Sequence, residues 1–348
     1  MTGEQLLPLD IEDRESLTRY LQVRGDLAPG QPLESFKILS GGVSNKTIWV
    51  KLDDQREWVI KQCLEKLRVQ VDWFTSPERI HIEALALEYL PELTPEGTIP
   101  HLVFEDHPCY VIAMQAVPPP HENWKQLLLS GHLHLDHVRQ FAGILAGFHR
   151  GSSERLDFYQ PLFGDRSFFE TLRLEAYYGF AAQQTPETHD FLTHLIDETR
   201  QQRLALTHGD YSPKNILIRH DRLIWLDHEV LHIGDPAFDI GFSTTHLLSK
   251  AHHLPELRDA FAGAAAFYWD EYRERCGGFA LTEAYEARAA RHTLGCLMAR
   301  VAGRSLLEYF SDAERRRQKQ VVIELMDSPP TAMMVLIDRF IEGINRYT

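Results

Sequence analysis

The chain has 348 residues, of which 44% are hydrophobic, enough to bury one large core or two lobes. Its formal net charge of -14 argues against a nucleic-acid substrate, because phosphate backbones are bound by basic surfaces. A neutral or cationic small molecule is easier to bind, but the alternative is that the charge merely keeps the protein soluble and does not identify the substrate. No apolar run approaches the roughly 20 residues that a membrane-spanning helix needs, so a membrane location is not expected.

The N-terminal segment shows no sign of secretion. It begins MTGEQLLPLDIEDRESL, with early acidic residues and without the basic start and apolar core of a signal peptide. The cysteines form neither a CxxC pair nor a disulfide-dense pattern; they are Cys63, Cys109, Cys276 and Cys296. We therefore expect a cytoplasmic protein with reduced, mainly structural cysteines and a helical extension over about residues 1–33.

Residues 34–51 have the pattern of two strands joined by a glycine-containing loop. Glu34–Leu39 and Lys46–Lys51 are the strand candidates, and SGGVSN lies between them. Small residues let backbone amides approach a phosphate closely. The candidates for nucleotide binding in this loop are Gly41, Gly42, Ser44 and Asn45. A glycine pair between strands is more often a plain hairpin turn, so the next strand decides between the two interpretations.

That next strand candidate carries a lysine. In Trp58–Gln62 the sequence WVIKQ places Lys61 near the end of an apolar run. It is either a solvated edge charge or a phosphate ligand, and its place after the glycine loop favours the second. Two more strand candidates, Ile99–Glu105 and Cys109–Met114, would complete a five-stranded lobe.

A helix should begin at Ser76 and Pro77, because serine is a good N-cap and proline suits the first helical position. Its leading acidic residue is Glu83, in the apolar run RIHIEALAL, which would face inward and require a cation. The other acidic candidates on this helix are Glu78 and Glu88. For Glu83 a solvated helix face is the alternative interpretation.

The segment LTHGDYSPKNILIRHDRLIWLDHE, residues 206–229, is the most informative part of the chain. Asn215 opens an apolar strand five positions after Asp210, and the turn HDR would reverse the chain so that Asp227 returns to the start of that strand. Oxygen atoms of Asn215 and Asp227 suit Mg2+, and Asp210 can accept the proton of an attacking hydroxyl. An ordinary hairpin with a capped turn is the alternative, but the three matching separations favour phosphoryl transfer.

The rest of the chain is predicted to be mainly helical, because its apolar residues recur at helical spacing. The candidate helices are Val138–His149, Phe168–Phe180, Phe191–Arg200, Pro255–Arg275, Thr282–Ala302, Asp312–Met326 and Thr331–Arg346. The basic run RRRQK at 315–319 is expected to be a solvated helix face. The cluster HLHLDH at 132–137 is not expected to bind metal, because it lies at a helix start without a matching set of further ligands.

Residues 206–242 resemble the catalytic segments of aminoglycoside phosphotransferases and choline kinases, the small-molecule branch of the protein-kinase-like superfamily. The resemblance includes His-Gly-Asp, the asparagine, Asp-His-Glu at 227–229, and then Gly-Asp-Pro at 234–236. It implies an α+β, two-lobed, protein-kinase-like fold. Residues 1–117 would form a small five-stranded antiparallel N-terminal lobe with one helix, and residues 118–348 a larger, mainly helical C-terminal lobe.

The N-terminal lobe most resembles 5-methylthioribose kinase, through VIKQCLEKLRV at 59–69 and the helix around Glu83. This resemblance implies that Lys61 contacts the nucleotide phosphates with Glu83 as its partner. It also implies that the backbone of a hinge from Gln115 to Val117 hydrogen-bonds the adenine. The catalytic segment departs from that kinase, because Asn215 stands where a serine is frequent and the glycine-containing loop differs.

The resemblance implies an ATP-dependent phosphotransferase acting on a hydroxyl of a sugar-like, aminoglycoside-like or amino-alcohol molecule. Asp210 would be the base, Asn215 and Asp227 would hold Mg2+, and Asp239 would steady the catalytic loop through hydrogen bonds. GTP is an alternative donor.

A non-catalytic scaffold of this fold would be expected to lack Asp210, Asn215, Asp227 or the strand lysine, and all four are present. A protein kinase is disfavoured, because Asp227 and Gly-Asp-Pro are too close for a long activation loop. Oligomeric state is left open.

Overall fold

The structure is a computed structural model that describes residues 9–39, 42, 44–53, 55–68 and 73–347. The chain forms two compact units. One comprises Met1–Glu88 and Pro100–Pro118, and the other comprises Tyr89–Ile99 and Pro119–Thr348. Across the described ranges, none of the helices combines the length and the apolar character that crossing a bilayer would require.

The first unit contains a five-stranded antiparallel sheet. Its strands are β1 (Ser35–Ile38), β2 (Asn45–Lys51), β3 (Glu57–Cys63), β4 (Leu102–Asp106) and β5 (Val111–Gln115). They are ordered β1-β2-β3-β5-β4, so β3 is the central strand. The predicted five-stranded antiparallel lobe is therefore confirmed.

Two helices accompany this sheet. Helix α1 spans Arg14–Arg24, where Asp13 caps its start by accepting a hydrogen bond from the Ser16 amide and Gly25 ends it at a φ of 86°. Its buried leucines join a core that includes Ile48, Val50 and Ile60 of the sheet. Helix α2 spans Arg79–Tyr89.

Helix α2 begins later than its start signal predicts. The Ser76 hydroxyl does accept a hydrogen bond from the Glu78 amide at 3.3 Å, but this bond closes a turn that precedes the helix. Residues 77 and 78 belong to that turn, and the first helical residue is Arg79. The face that α2 buries includes Glu83, whose relative exposure is 0%.

The second unit is mainly helical, as the resemblance implies. Within the described residues, its α-helices are α3 (Trp124–Leu129), α4 (Leu135–Ser153), α5 (Leu156–Phe163), α6 (Ser167–Phe169), α7 (Phe180–Gln184), α8 (His189–Gln201), α9 (Ala237–His253), α10 (Arg258–Cys276), α11 (Glu283–Ala302), α12 (Asp312–Asp327) and α13 (Met333–Arg346). Helix α9 is buried over nearly its whole length and packs against α10 and α11. Between α6 and α7 the segment Glu170–Gly179 is a π-helix, so the predicted helix over 168–180 is widened in its middle.

The short strands of this unit lie within residues 205–225 or pair with a strand there. They are β6 (Glu122–Asn123), β7 (Ala205–Thr207), β8 (Ile216–Arg219), β9 (Arg222–Trp225) and β10 (His232–Gly234). Strands β8 and β9 form the predicted hairpin. Its turn is two residues rather than three, because His220 and Asp221 both adopt positive φ, at 48° and 58°, and Arg222 already pairs with Arg219.

Candidate active site

Asp210 and Asn215 lie together at the loop between β7 and β8. The Asn215 side-chain nitrogen donates to the Asp210 carboxylate and to the Asp210 carbonyl oxygen, both at 3.0 Å. Gly209, before them, has a φ of +77°, and a Cβ at this position would lie 3.1 Å from Val230 Cγ2. Glycine is therefore required for both conformation and space, and it turns the chain so that Asp210 remains partly exposed.

Asp227 follows β9 and is brought beside this loop by the hairpin. The Leu226 amide donates to the Asn215 carbonyl oxygen at 2.9 Å, so Asp227 is one residue from a direct backbone contact with Asn215. Asp227 has a φ of +71°, a conformation that few non-glycine residues adopt and that is commonest at functional sites. The sequence prediction that the hairpin returns Asp227 towards Asn215 matches this geometry.

The chemistry of these side chains fits a magnesium ion. Since Asn215 uses its amide nitrogen to donate to Asp210, its oxygen is the atom left for coordination. Asp227 adds a carboxylate, and it is half-buried rather than sealed in the core. One carboxylate and one amide oxygen from the protein, completed by waters and substrate phosphates, is the kind of donor set that Mg2+ takes.

Asp239, in the first turn of α9, binds the backbone of the loop that carries Asp210. It is fully buried and accepts hydrogen bonds from the His208 amide at 2.6 Å and the Gly209 amide at 2.8 Å. The side chain of His149 on α4 contacts it at 3.2 Å. Burial raises the pKa of Asp239, but these hydrogen bonds outweigh burial and hold the pKa below its ordinary value. The loop is thus anchored to the interior of the unit by an ionised carboxylate.

Asp235 is a buried carboxylate just before α9. It accepts a hydrogen bond from the Ala237 amide at 3.1 Å. It also pairs with Arg288 at 2.8 Å and lies 3.7 Å from His292. These contacts tie Asp235 to α9 and α11.

Arg173 is a site residue that the sequence analysis missed. Its guanidinium lies 3.1 Å from the Asp210 carboxylate, and its Nε donates to the Gly209 carbonyl oxygen. Burial lowers the pKa of Arg173, but the combined attraction of Asp210 and the other acidic groups nearby outweighs burial and leaves the pKa above its ordinary value. Arg173 belongs to the π-helical segment, and the only sequence signal for it was a charge between Leu172 and Leu174. The contact orients the Asp210 carboxylate.

The first unit contains a second cluster, an ion pair between β3 and α2. Lys61 Nζ and Glu83 Oε1 are 2.6 Å apart, and the two side chains are 10% and 0% exposed. Lys61 lies on the central strand of the sheet, opposite Thr47 and Ile112. The structure therefore pairs the lysine and the acid that the sequence analysis selected.

The structure describes three of the four loop residues that were predicted to bind nucleotide. Gly41 lies outside the described residues, and Gly42 is exposed. The Ser44 carbonyl oxygen accepts from the Leu64 amide at 3.0 Å, and Asn45 is buried with its Oδ1 accepting from the Cys63 thiol. These contacts tie Ser44 and Asn45 to the end of β3.

The predicted hinge residues lie at the end of the sheet. Gln115 is the last residue of β5 and is exposed, and its amide donates to the His101 carbonyl oxygen at 2.9 Å. Val117 follows two residues later and is half-buried. The adenine contact expected of this backbone remains a prediction.

Replacing Glu83 by glutamine is expected to lower the free energy of unfolding by about 3–5 kcal/mol, because it leaves the Lys61 ammonium in a buried site without its counter-charge. Urea unfolding followed by circular dichroism measures this change. The matched control is Glu88→Gln, an exposed glutamate on the same helix, for which we expect no change beyond about 0.5 kcal/mol.

A second substitution separates stability from function at this pair. Adding Lys61→Met to Glu83→Gln also removes the buried ammonium, so stability should recover, whereas nucleotide affinity should stay low if Lys61 contacts the phosphates as the sequence predicts. Equal stability of Glu83→Gln and Glu88→Gln would contradict the buried ion pair.

Comparison with known proteins agrees with this geometry. The family model described as "Phosphotransferase enzyme family" matches residues 35–275, and no protein of curated function matches the sequence significantly.

Several solved structures are similar over nearly the whole chain. A macrolide 2'-phosphotransferase from Brachybacterium faecium has 18% identity and a TM-score of 0.53, covering 91% of this chain and 99% of its own. An amicoumacin kinase bound to AMP-PNP and Ca2+ has 11% identity and a TM-score of 0.55, covering 90% and 95%. A choline/ethanolamine kinase family protein from Mesorhizobium loti has 14% identity and a TM-score of 0.51, covering 95% and 99%. At these identities the similarity establishes a protein-kinase-like fold.

The family match extends over more than half of the chain, and the protein therefore belongs to the phosphotransferase enzyme family.

Proposed function

We propose that the protein transfers the terminal phosphate of ATP to a hydroxyl group of a small molecule in the presence of Mg2+. The observation that carries the proposal is the placement of Asp210, which is hydrogen-bonded to Asn215, paired with Arg173 and brought near Asp227 by the hairpin. A carboxylate so oriented and partly exposed is what an attacking hydroxyl requires.

Asp210 would position the acceptor hydroxyl and receive its proton as the oxygen attacks the phosphorus. Phosphoryl transfer depends mainly on positioning and on charge stabilisation, so a fixed carboxylate matters more than a strongly basic one. The Arg173 and Asn215 contacts hold the carboxylate in one orientation, and Asp239 fixes the loop backbone beneath it.

Asn215 and Asp227 would hold the metal, which when bound would neutralise charge on the transferred phosphate. In the first unit, Lys61 would bind phosphate oxygens of the nucleotide, with Glu83 keeping its ammonium in place. The bound AMP-PNP of the amicoumacin kinase structure supports an adenine nucleotide as donor, and GTP is the second donor to test.

The test is nucleotide consumption with Mg2+ over a panel of acceptors. The panel includes aminoglycosides, macrolides, methylthioribose, other sugars, choline and homoserine, each with ATP and with GTP. We expect ADP formation with one class of acceptor, and phosphorus NMR of the product should show a phosphate monoester. An inability to bind either nucleotide, measured by calorimetry with Mg2+, would overturn the proposal.

A further inference from the structure

The C-terminal half of α9 carries a lysine whose charge is buried. Lys250 is 0% exposed, and its ammonium donates to the His246 carbonyl oxygen at 3.1 Å. Among the residues that the structure describes, no carboxylate forms an ion pair with it within 4.0 Å. An ammonium can donate three hydrogen bonds, and burying its charge beside neutral groups alone is costly.

A second buried cation lies beside it. Arg300 on α11 is 8% exposed and donates to the carbonyl and hydroxyl oxygens of Ser305, both at 3.0 Å. Another of its nitrogens lies 3.2 Å from His246 Nε2, and its Nε is buried without a hydrogen-bond partner. The groups that receive hydrogen bonds from this guanidinium are therefore neutral.

The surroundings of these two residues contain charges of both signs. Lys125 and Lys250 both approach the ring of Tyr309, at 5.9 and 5.7 Å from its centroid. The carboxylates near this ring are already paired, Glu308 with Lys125 and Glu314 with His253, and Glu308 is 65% exposed. Burial, followed by repulsion from Lys125, lowers the pKa of Lys250 to about 7 despite Glu308.

The pKa of His246 changes in the same direction. Burial is the largest cause, and repulsion from Arg300 and Lys250 follows, so the pKa lies well below its ordinary value. In addition to burial, the charges of Lys250 and Arg300 beside His246 therefore disfavour its protonation. We call Lys125, His246, Lys250 and Arg300 the cationic cluster.

The cationic cluster and the Asp210 carboxylate are connected through the ring of Tyr177 and the guanidinium of Arg173. The guanidinium of Arg300 lies 5.1 Å from the centre of the Tyr177 ring, and that of Arg173 lies 5.5 Å from the same ring. Arg173 in turn pairs with Asp210. An acceptor of ordinary metabolite size could therefore place a hydroxyl at Asp210 and another group at the cluster.

We propose that the cationic cluster binds an anionic group, a carboxylate or a phosphoryl group, on the acceptor that Asp210 phosphorylates. This inference rests on the proposed function and specifies its substrate class. The anion would supply the missing acceptors for Lys250 and Arg300, and it would replace the exposed Glu308 beside Lys125. The inferred anionic acceptor differs from the neutral or cationic acceptor that the net charge of -14 suggests. The charge around one binding site is independent of the net charge of the whole chain.

The first test measures anion binding and stability without any acceptor. Below pH 7, where the Lys250 amine is mainly protonated, Lys250→Met is expected to raise the melting temperature in chloride, because it removes a buried charge that has no paired carboxylate while keeping the apolar length of the side chain. Replacing chloride by sulfate at equal ionic strength should raise the melting temperature of the wild type more than that of Lys250→Met.

Two controls separate this response from other effects of sulfate. Lys37→Met removes an exposed lysine and should respond to sulfate like the wild type. The double variant Lys61→Met with Glu83→Gln removes a lysine proposed to bind nucleotide phosphates without breaking only one half of the buried ion pair, and it should retain the response of the cationic cluster. A full sulfate response in Lys250→Met would overturn the inference.

The second test compares acceptors that share a six-carbon polyol chain and differ in charge. They are gluconate, glucitol 6-phosphate, neutral glucitol and cationic N-methylglucamine. We expect turnover only with an anionic member, and the choice between the first two distinguishes carboxylate from phosphoryl recognition. Lys250→Met should lower kcat/KM for that member by about 10–100-fold, as expected for a lost hydrogen bond to a charged group.

The outcomes separate this inference from the proposed function. Turnover of glucitol or N-methylglucamine that is unaffected by Lys250→Met would overturn anion recognition and leave the kinase activity intact. If none of the four compounds is phosphorylated, the sulfate response of Lys250→Met decides the inference alone.

Discussion

Asp210→Asn is expected to reduce kcat by ~10²–10⁴-fold while nucleotide binding stays close to that of the wild type. Asparagine has nearly the shape of aspartate, and its oxygen can still accept hydrogen bonds from Arg173 and Asn215, so the loop should keep its conformation. What the amide cannot do is receive a proton from the acceptor hydroxyl. Steady-state kinetics on the acceptor found in the panel, with calorimetry for nucleotide affinity, measures both quantities.

The control for Asp210→Asn is the same change at an exposed site. The side chain of Asp221 in the β8–β9 turn is 94% exposed, and asparagine tolerates its φ of 58°. Asp221→Asn should leave kcat unchanged. Turnover of Asp210→Asn within a few-fold of the wild type would exclude Asp210 as the base.

Asp227→Asn is expected to remove the part of nucleotide affinity that depends on magnesium. The change keeps an oxygen ligand but removes the negative charge that favours a divalent cation. Asparagine is chosen over alanine because the φ of +71° at this position would strain alanine, and the strain could be mistaken for loss of a ligand. ATP titrations with Mg2+ and with EDTA give the two affinities.

For the wild type we expect much tighter binding of ATP with Mg2+ than without it. The Asp227→Asn variant should bind ATP equally well under both conditions, and its thermal unfolding should show that it remains folded. A full magnesium effect in Asp227→Asn would show that the metal is held elsewhere.

The features predicted from the sequence are those set by short-range patterns. Alternating apolar residues predicted the strands of the first unit, and the polar residues at the turn predicted the β8–β9 hairpin. The apolar helical run indicated that Glu83 requires a cation, the resemblance implied Lys61 as that cation, and the structure pairs the two side chains. The strands and the hairpin were predicted from residues that are neighbours in sequence, whereas this pairing also needed the resemblance.

The features that were not predicted depend on how helices pack. Arg173 reaches Asp210 from a π-helical segment, whose altered side-chain spacing a regular helical pattern does not reveal. Lys250 lies in the last turn of α9, where basic residues are common because they complement the helix dipole. Since almost every face of α9 is buried, its apolar pattern gave no exposed side from which Lys250 would stand out.

The segment between Asp227 and Asp235 reads HEVLHIG, and all of these residues are buried. It contains no serine, threonine or tyrosine, so no kinase could modify a hydroxyl there. The segment also includes β10, which pairs with β7 immediately before the loop that carries Asp210. Phosphorylation of a hydroxyl group within this segment is therefore excluded as a means of regulating the enzyme.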